Sequence, residues 1–163
     1  INAAIGLAQT RKLPKILKAQ RKHKAVISER LGRIRGVTFR KQCDDGGDSA
    51  TFFHLLMPDE TKARTCVKLL GEAGIGVAYW YDNMYHYIKQ WDHVKDLKMP
   101  YRMVAHELGL PQDLKTLAFP KSNAVMCRLI SFGIRVTWTE QELNTMLDKM
   151  EVAVKKSMEK VLA

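Results

Sequence analysis

ATFFHLLMPDETKARTCVKLLGEAG, residues 50–74, decides the fold. Ala50 to Leu56 is apolar and aromatic on both alternating sides, as in a central strand. Asp59, two residues after Met57, suits the N-cap of a helix. Ala63, Cys66, Val67 and Leu70 follow at i, i+3, i+4 and i+7, which places one apolar stripe on that helix. Gly71 and Gly74 stop it. A strand feeding a helix with a single buried stripe predicts a sheet with helices laid against it.

The pattern extends both ways from this unit. Upstream, residues 2–12 read as the end of a helix, and Pro14 opens a second one at its first turn, running over 14–31. Gly32 and Gly36 end it. Val37 to Lys41 is a short strand candidate, and Cys43 to Asp48 is a turn cluster. Downstream, Ile75 to Tyr79 reads as a strand, and residues 80–118 are irregular with a helical piece at Val104 to Leu110. Ser122 starts a short helix, and Arg128 to Ile134 is a further strand. Thr139 with Glu142 forms a capping box, after which Leu143, Met146, Leu147, Met150 and Val154 line one face of the closing helix. The expected class is α/β or α+β, with a small sheet covered by helices.

The 163 residues are enough for one ordinary domain, and 46% hydrophobic with 27% charged residues is the balance of a folded chain. No apolar run approaches the ~18–20 residues of a membrane span. The opening residues contain no apolar core or small-residue cleavage site of a signal peptide. Cys43, Cys66 and Cys127 are odd in number and far apart, which argues against a disulfide framework or a structural zinc site and fits a cytoplasmic protein. The chain opens on Ile1, which reads as a piece of something longer.

Charge is unevenly spread. Residues 1–41 hold twelve of the 27 bases and only one acid, Glu29, so this segment carries +11 of a chain whose net charge is +10, and the remainder is close to neutral. A basic helix of this kind either binds nucleic acid or presents one solvated face. It has Ile5, Leu7, Leu13, Ile16, Leu17, Val26, Ile27 and Leu31 to bury, and no aromatic residue to stack on a base before Phe39.

Catalytic motifs are mostly excluded. His106-Glu107 would begin HExxH, but the second histidine would fall at Leu110. Gly74-Ile75-Gly76 precedes a strand and not a helix, so it is no dinucleotide loop. There is no GxxxxGK[ST] and no GxSxG. His54, within a strand, reads as a satisfied structural histidine. Residues 79–91, YWYDNMYHYIKQW, hold six of the 13 aromatics: Tyr79, Trp80, Tyr81, Tyr85, Tyr87 and Trp91. With Asp82, Asn83, His86 and His93 as polar tips, such a segment suits a sugar or another flat polar ligand. A satellite core beneath a long loop accounts for it equally well.

Ile1-Asn-Ala-Ala-Ile-Gly-Leu-Ala-Gln9 with Arg11-Lys12-Leu13 resembles a stretch of the DegT/StrS family of pyridoxal-phosphate sugar aminotransferases. There, a helix leads into a basic linking helix between the large cofactor domain and the small C-terminal domain. Asp59 to Gly76 resembles that family's helix ending in Gly-Ile-Gly. Residues 80–86 are similar to its His-Tyr-Pro-x-Pro-Leu-His pattern near the bound sugar. Tyr81 and His86 match; Trp80 replaces the first histidine, and Asp82 and Met84 replace the prolines. Phe119-Pro120 through Ile134, and Trp138 to Leu143, resemble the closing strand and helix.

The resemblance implies the C-terminal portion of a fold-type-I transferase. Residues 1–35 would be linking helices, and 36–163 a small domain with a mostly antiparallel sheet. It implies pyridoxal 5'-phosphate bound mainly by an upstream domain, with the lysine that bonds the cofactor outside these 163 residues. The substrate-binding candidates are Trp80, Tyr81, Asn83 and His86, with no catalytic residue and no metal ligand in this chain. The implied reaction moves an amino group from an amino acid, with glutamate the expected donor, to a nucleotide-linked or acidic keto-sugar of lipopolysaccharide or another surface glycan. An octulosonate is one acidic candidate. A homodimer is expected, without nucleic acid or membrane span. A sugar dehydratase of the same family and a basic nucleic-acid-binding module remain the alternatives.

Overall fold

The computed structural model describes residues 1–44, 46–96, 98, 100, 104–109 and 118–159, with the backbone alone at 105 and 106. The elements in order are α1 (Asn2–Gly32), β1 (Thr38–Phe39), β2 (Phe52–Leu56), α2 (Glu60–Glu72), α3 (Asp92–Lys95), α4 (Val104–Glu107), α5 (Pro120–Met126), β3 (Leu129–Gly133) and α6 (Glu140–Met158). Single 3₁₀ turns lie at Trp80–Asp82 and Ile88–Gln90.

The strands form one antiparallel sheet in the order β1-β2-β3. β2 is central, as its apolar sequence predicts. Phe53 pairs with Phe132 and Leu55 with Ile130. These four side chains point to the helices, and all are buried. Ala63, Cys66 and Leu70 of α2 meet Leu143, Leu147, Met150 and Val154 of α6 over that face, and Ile27 and Leu31 of α1 close the core.

Local chemistry sets the helix ends. Asp59 Oδ1 accepts from the Lys62 amide at 2.8 Å, and Thr139 and Glu142 form the reciprocal box. α2 ends in a Schellman turn: Gly74 N–H donates to Gly71 O and Ile75 N–H to Leu70 O, with Gly74 at φ +77°. Gly36, at φ +88°, closes the turn after α1 against Pro58 and Met158.

Three expectations need correction. α1 runs unbroken through Pro14 where a boundary was expected. The proline forfeits only one amide bond, and its surroundings are exposed, so water satisfies the freed carbonyl. Residues 75–79 form no strand: only Ala78 pairs, in an isolated bridge with Ser131, before the chain turns into the 3₁₀ turn at Trp80. α5 starts at Pro120, two residues before Ser122, because proline fits a helix's first turn. Of the helical piece expected at 104–110, α4 covers Val104–Glu107, and Leu110 lies outside the described residues.

Polar clamps seat the second half of α1. Gln20 Nε2 donates to Ile134 O at 3.1 Å, and His23 Nδ1–H donates to Arg135 O at 3.0 Å. Arg30 reaches α6 with Nε on Glu151 at 2.6 Å and Nη2 on Asp148 at 2.7 Å. The Arg30 guanidinium holds the Glu151 carboxyl below its ordinary range. In the first half, Ile5, Leu7 and Leu13 stand exposed. Two substitutions separate cap from core in urea unfolding: Thr139→Ala lowers stability by about 1 kcal/mol, and Leu147→Ala by about 2–5 kcal/mol.

Candidate functional site

Residues 79–91 leave the sheet at Ala78 and fold back over it. Asn83 organises the turn. Its Oδ1 accepts from the amides of Tyr85 and His86, both at 2.9 Å, and from His86 Nδ1 at 2.8 Å. Two backbone donors identify that atom as oxygen, so His86 must carry its proton on Nδ1. In the neutral ring Nε2 is then a bare acceptor. His86 is exposed, and its ring meets the Trp80 indole edge-on at 5.0 Å.

Trp80 is anchored from below. Its Nε1–H donates to Ser131 Oγ at 2.9 Å, and the same oxygen lies 2.8 Å from His54 Nδ1. Ser131 is almost fully buried. The arrangement follows from register: His54 pairs directly with Ser131, on the sheet face opposite the core. Burial, with Arg40 and Lys24 nearby, pushes the His54 imidazole below its ordinary pKa.

Tyr81 belongs to a different group. It is buried, its ring 6.2 Å from Tyr79 and 5.5 Å from Tyr87. Lys89 Nζ lies 3.9 Å from the Tyr81 ring centroid and donates to its hydroxyl at 2.7 Å. Tyr79 OH donates to Cys127 O at 2.6 Å, and Tyr87 OH donates to Asn123 Oδ1. Burial raises the pKa of both phenols. Arg64 covers the Tyr79 ring and grips Asp82 with both Nη atoms, so the Asp82 charge is neutralised. His93 lies beside Trp91, 6.4 Å between ring centroids.

The two readings of this segment therefore apply to different residues. Tyr79, Tyr81 and Tyr87 form a satellite core, whereas Trp80, Asn83 and His86 make a propped polar-aromatic rim. The structure brings those three candidates together and sets Tyr81 apart from them. Ser131 and His54, which hold the rim to the sheet, carry no local signal: they meet Trp80 only through strand pairing. Among the described residues no cluster of His, Cys, Asp or Glu is arranged to hold a metal. Burial raises the Cys66 thiol to about 11, which leaves it un-ionised at neutral pH.

The lysines bear on a cofactor aldehyde. A lysine that bonds one needs a desolvated amine of lowered pKa. Lys24 is paired with Asp48, and the hydrogen bond to Tyr81 raises the pKa of Lys89. Lys149 and Lys156 are exposed on α6. None of these four fits that role. No described helix is long and apolar enough to cross a membrane.

Comparison with known proteins gives a consistent result. The model of the DegT/DnrJ/EryC1/StrS aminotransferase family matches residues 1–111. The aminotransferase TlmJ of Streptoalloteichus hindustanus is similar with a TM-score of 0.65 at 13% identity, over 94% of this chain and 36% of that one. Spr1654 of Streptococcus pneumoniae, assigned as a sugar aminotransferase, gives 0.64 at 16% identity in its apo form, over 96% of this chain and 35% of that one. Its PMP form gives 0.63 at 12%, with the same coverage. The chain spans about a third of the length of these structures.

His54 offers a test of this geometry. Its folded pKa is depressed, so as pH falls the unfolded chain takes up the proton first. The stabilisation is complete above the unperturbed value of about 6.5 and is lost as pH falls toward the lowered one. In an NMR titration the His54 ring protons titrate below the ordinary imidazole range. Urea midpoints between pH 7 and 5 fall more steeply for the wild type than for His54→Gln.

Proposed function

The chain belongs to the DegT/DnrJ/EryC1/StrS aminotransferase family, and we propose that it is the sugar-facing portion of a pyridoxal-phosphate-dependent sugar aminotransferase. In this reading, residues 1–35 link to a large cofactor domain and 36–163 form the small domain beside it. The cofactor supplies the electron sink for moving an amino group between an amino acid and a keto-sugar. Lys24, Lys89, Lys149 and Lys156 do not fit its covalent partner, and no chemical step is assigned to them.

One observation carries the substrate side of the proposal: the exposed imidazole of His86, its tautomer fixed by Asn83, set against the Trp80 indole edge. His86 Nε2 accepts a hydrogen bond from a sugar hydroxyl, and Trp80 offers an apolar surface to the ring's C–H face. Asn83 is a positioning residue, since its oxygen is already filled by three N–H groups. Tyr81, well inside the aromatic cluster, supports the loop. The basic first 41 residues raise the local concentration of an anionic substrate, whether nucleotide-linked or an acidic sugar of a surface glycan. Glutamate is the proposed amino donor, and a homodimer in the cytoplasm the proposed form.

The test uses the full gene product with pyridoxal phosphate. A visible absorbance band of the bound cofactor is expected. His86→Ala raises the keto-sugar KM about tenfold, the worth of one lost hydrogen bond at the upper end of its usual range. The band and the amino-donor half-reaction stay unchanged. Asn83→Ala gives a smaller rise in KM. Wild-type constants in both variants assign the segment to packing, and absence of the band refutes the family reaction for this protein.

A further inference from the structure

A cleft of about 530 Å³ opens between α1 and the β1–β2 edge, and none of residues 79–91 lines it. It lies where β1 stops: β1 pairs only with Leu55 and Leu56, leaving the first half of β2 facing α1. Half-buried Phe39 gives it an aromatic wall, with the nearly buried Phe53 behind it.

The charges around it do not cancel. Lys24 is neutralised by Asp48. Arg21, however, spends its bonds on neutral carbonyls, with Nε on Asp48 O at 2.9 Å and Nη2 on Gly46 O at 2.7 Å. Arg40 touches only the Gln42 side-chain oxygen, at 3.5 Å. Among the described residues neither guanidinium hydrogen-bonds a carboxylate, and the lining sets Arg21, Lys24 and Arg40 against Asp48 alone, a net of two positive charges.

His54 also lines the wall, and its proton is placed by the sheet. Trp80 donates to Ser131 Oγ, and that nearly buried hydroxyl has no acceptor other than His54 Nδ1 among the described residues. Ser131 O–H therefore donates to Nδ1, and the neutral ring carries its proton on Nε2. The cleft thus presents two guanidiniums and one N–H donor, all suited to an oxyanion.

We propose that this cleft binds a phosphate ester, its phosphate held by Arg21, Arg40 and His54 Nε2–H and its organic part laid against Phe39. A phosphate dianion matches the two uncompensated charges, and 530 Å³ leaves room for the rest of the molecule. The site uses none of the proposed substrate residues, although His54 shares Ser131 Oγ with Trp80.

The experiment titrates the full gene product, without added cofactor or sugar, at constant ionic strength. The ligands are inorganic phosphate, glycerol 3-phosphate and acetate. Imidazole and arginine ¹H–¹⁵N correlations report binding. The expected result is a saturable shift at His54 and Arg40 with both phosphates, tighter for the ester than for inorganic phosphate. Arg40→Gln, an exposed change, weakens both by about tenfold or more, while Lys12→Gln, remote from the cleft on α1, does not. The proposal is overturned if no saturable shift occurs by tens of millimolar phosphate. It is equally overturned if acetate binds as well as phosphate, or if Arg40→Gln binds as the wild type does. Turnover plays no part, so its failure leaves the aminotransferase reading untouched, and the reverse.

Discussion

The pairing of β2 with β3 is the constraint on which everything else rests. Residues 52–56 meet 129–133 in antiparallel register across a long stretch of intervening chain. That register faces Phe53, Leu55, Ile130 and Phe132 toward the helices, and His54 and Ser131 away from them. A slip of one residue would exchange the two sets. It would expose the core and bury the imidazole, and it would also leave Trp80 without its anchor. Stability and the geometry of the candidate site therefore share one origin.

Signals confined to a few neighbouring residues were legible in the sequence. Asp59 caps α2, Thr139 and Glu142 box the start of α6, and the Leu143–Leu147–Met150–Val154 stripe is buried as its spacing predicts. The central position of β2 was legible too, because its apolar side chains leave no polar edge. Ile75 to Tyr79 misled because β propensity describes fitness for a pleated surface, and only Ala78 finds a partner there. Pro14 misled in the opposite direction, because one lost hydrogen bond on an exposed helix is tolerable. The site was half legible: an aromatic-rich segment is visible in the sequence, but its division is not. Which rings are packed and which are presented depends on contacts with Arg64, Asn123, Cys127 and Ser131, all remote in the chain.

The basic leader is likewise resolved into parts. Arg30 is consumed in joining α1 to α6, and Lys24 in meeting Asp48. Arg11, Lys12, Lys15, Lys18 and Lys22 remain exposed on the helix. The excess charge thus serves attachment at one end of α1 and a solvated surface at the other, with Arg21 and Arg40 left over beside an aromatic-walled cleft.

The unbroken α1 also has a mechanical consequence. Its first fully buried residue is Gln20, and before the half-buried Ile16 and Leu17 the described residues of α1 are exposed, so this part of the helix is an arm that rests on its own backbone bonds within these 163 residues. Pro14 sits partway along that arm and removes one of them. From there to Ile1 the arm is about 20 Å long. A bend of roughly 15° at the proline would swing its tip by about 5 Å. The least reinforced point of the longest helix therefore sets the direction in which its exposed first turns run.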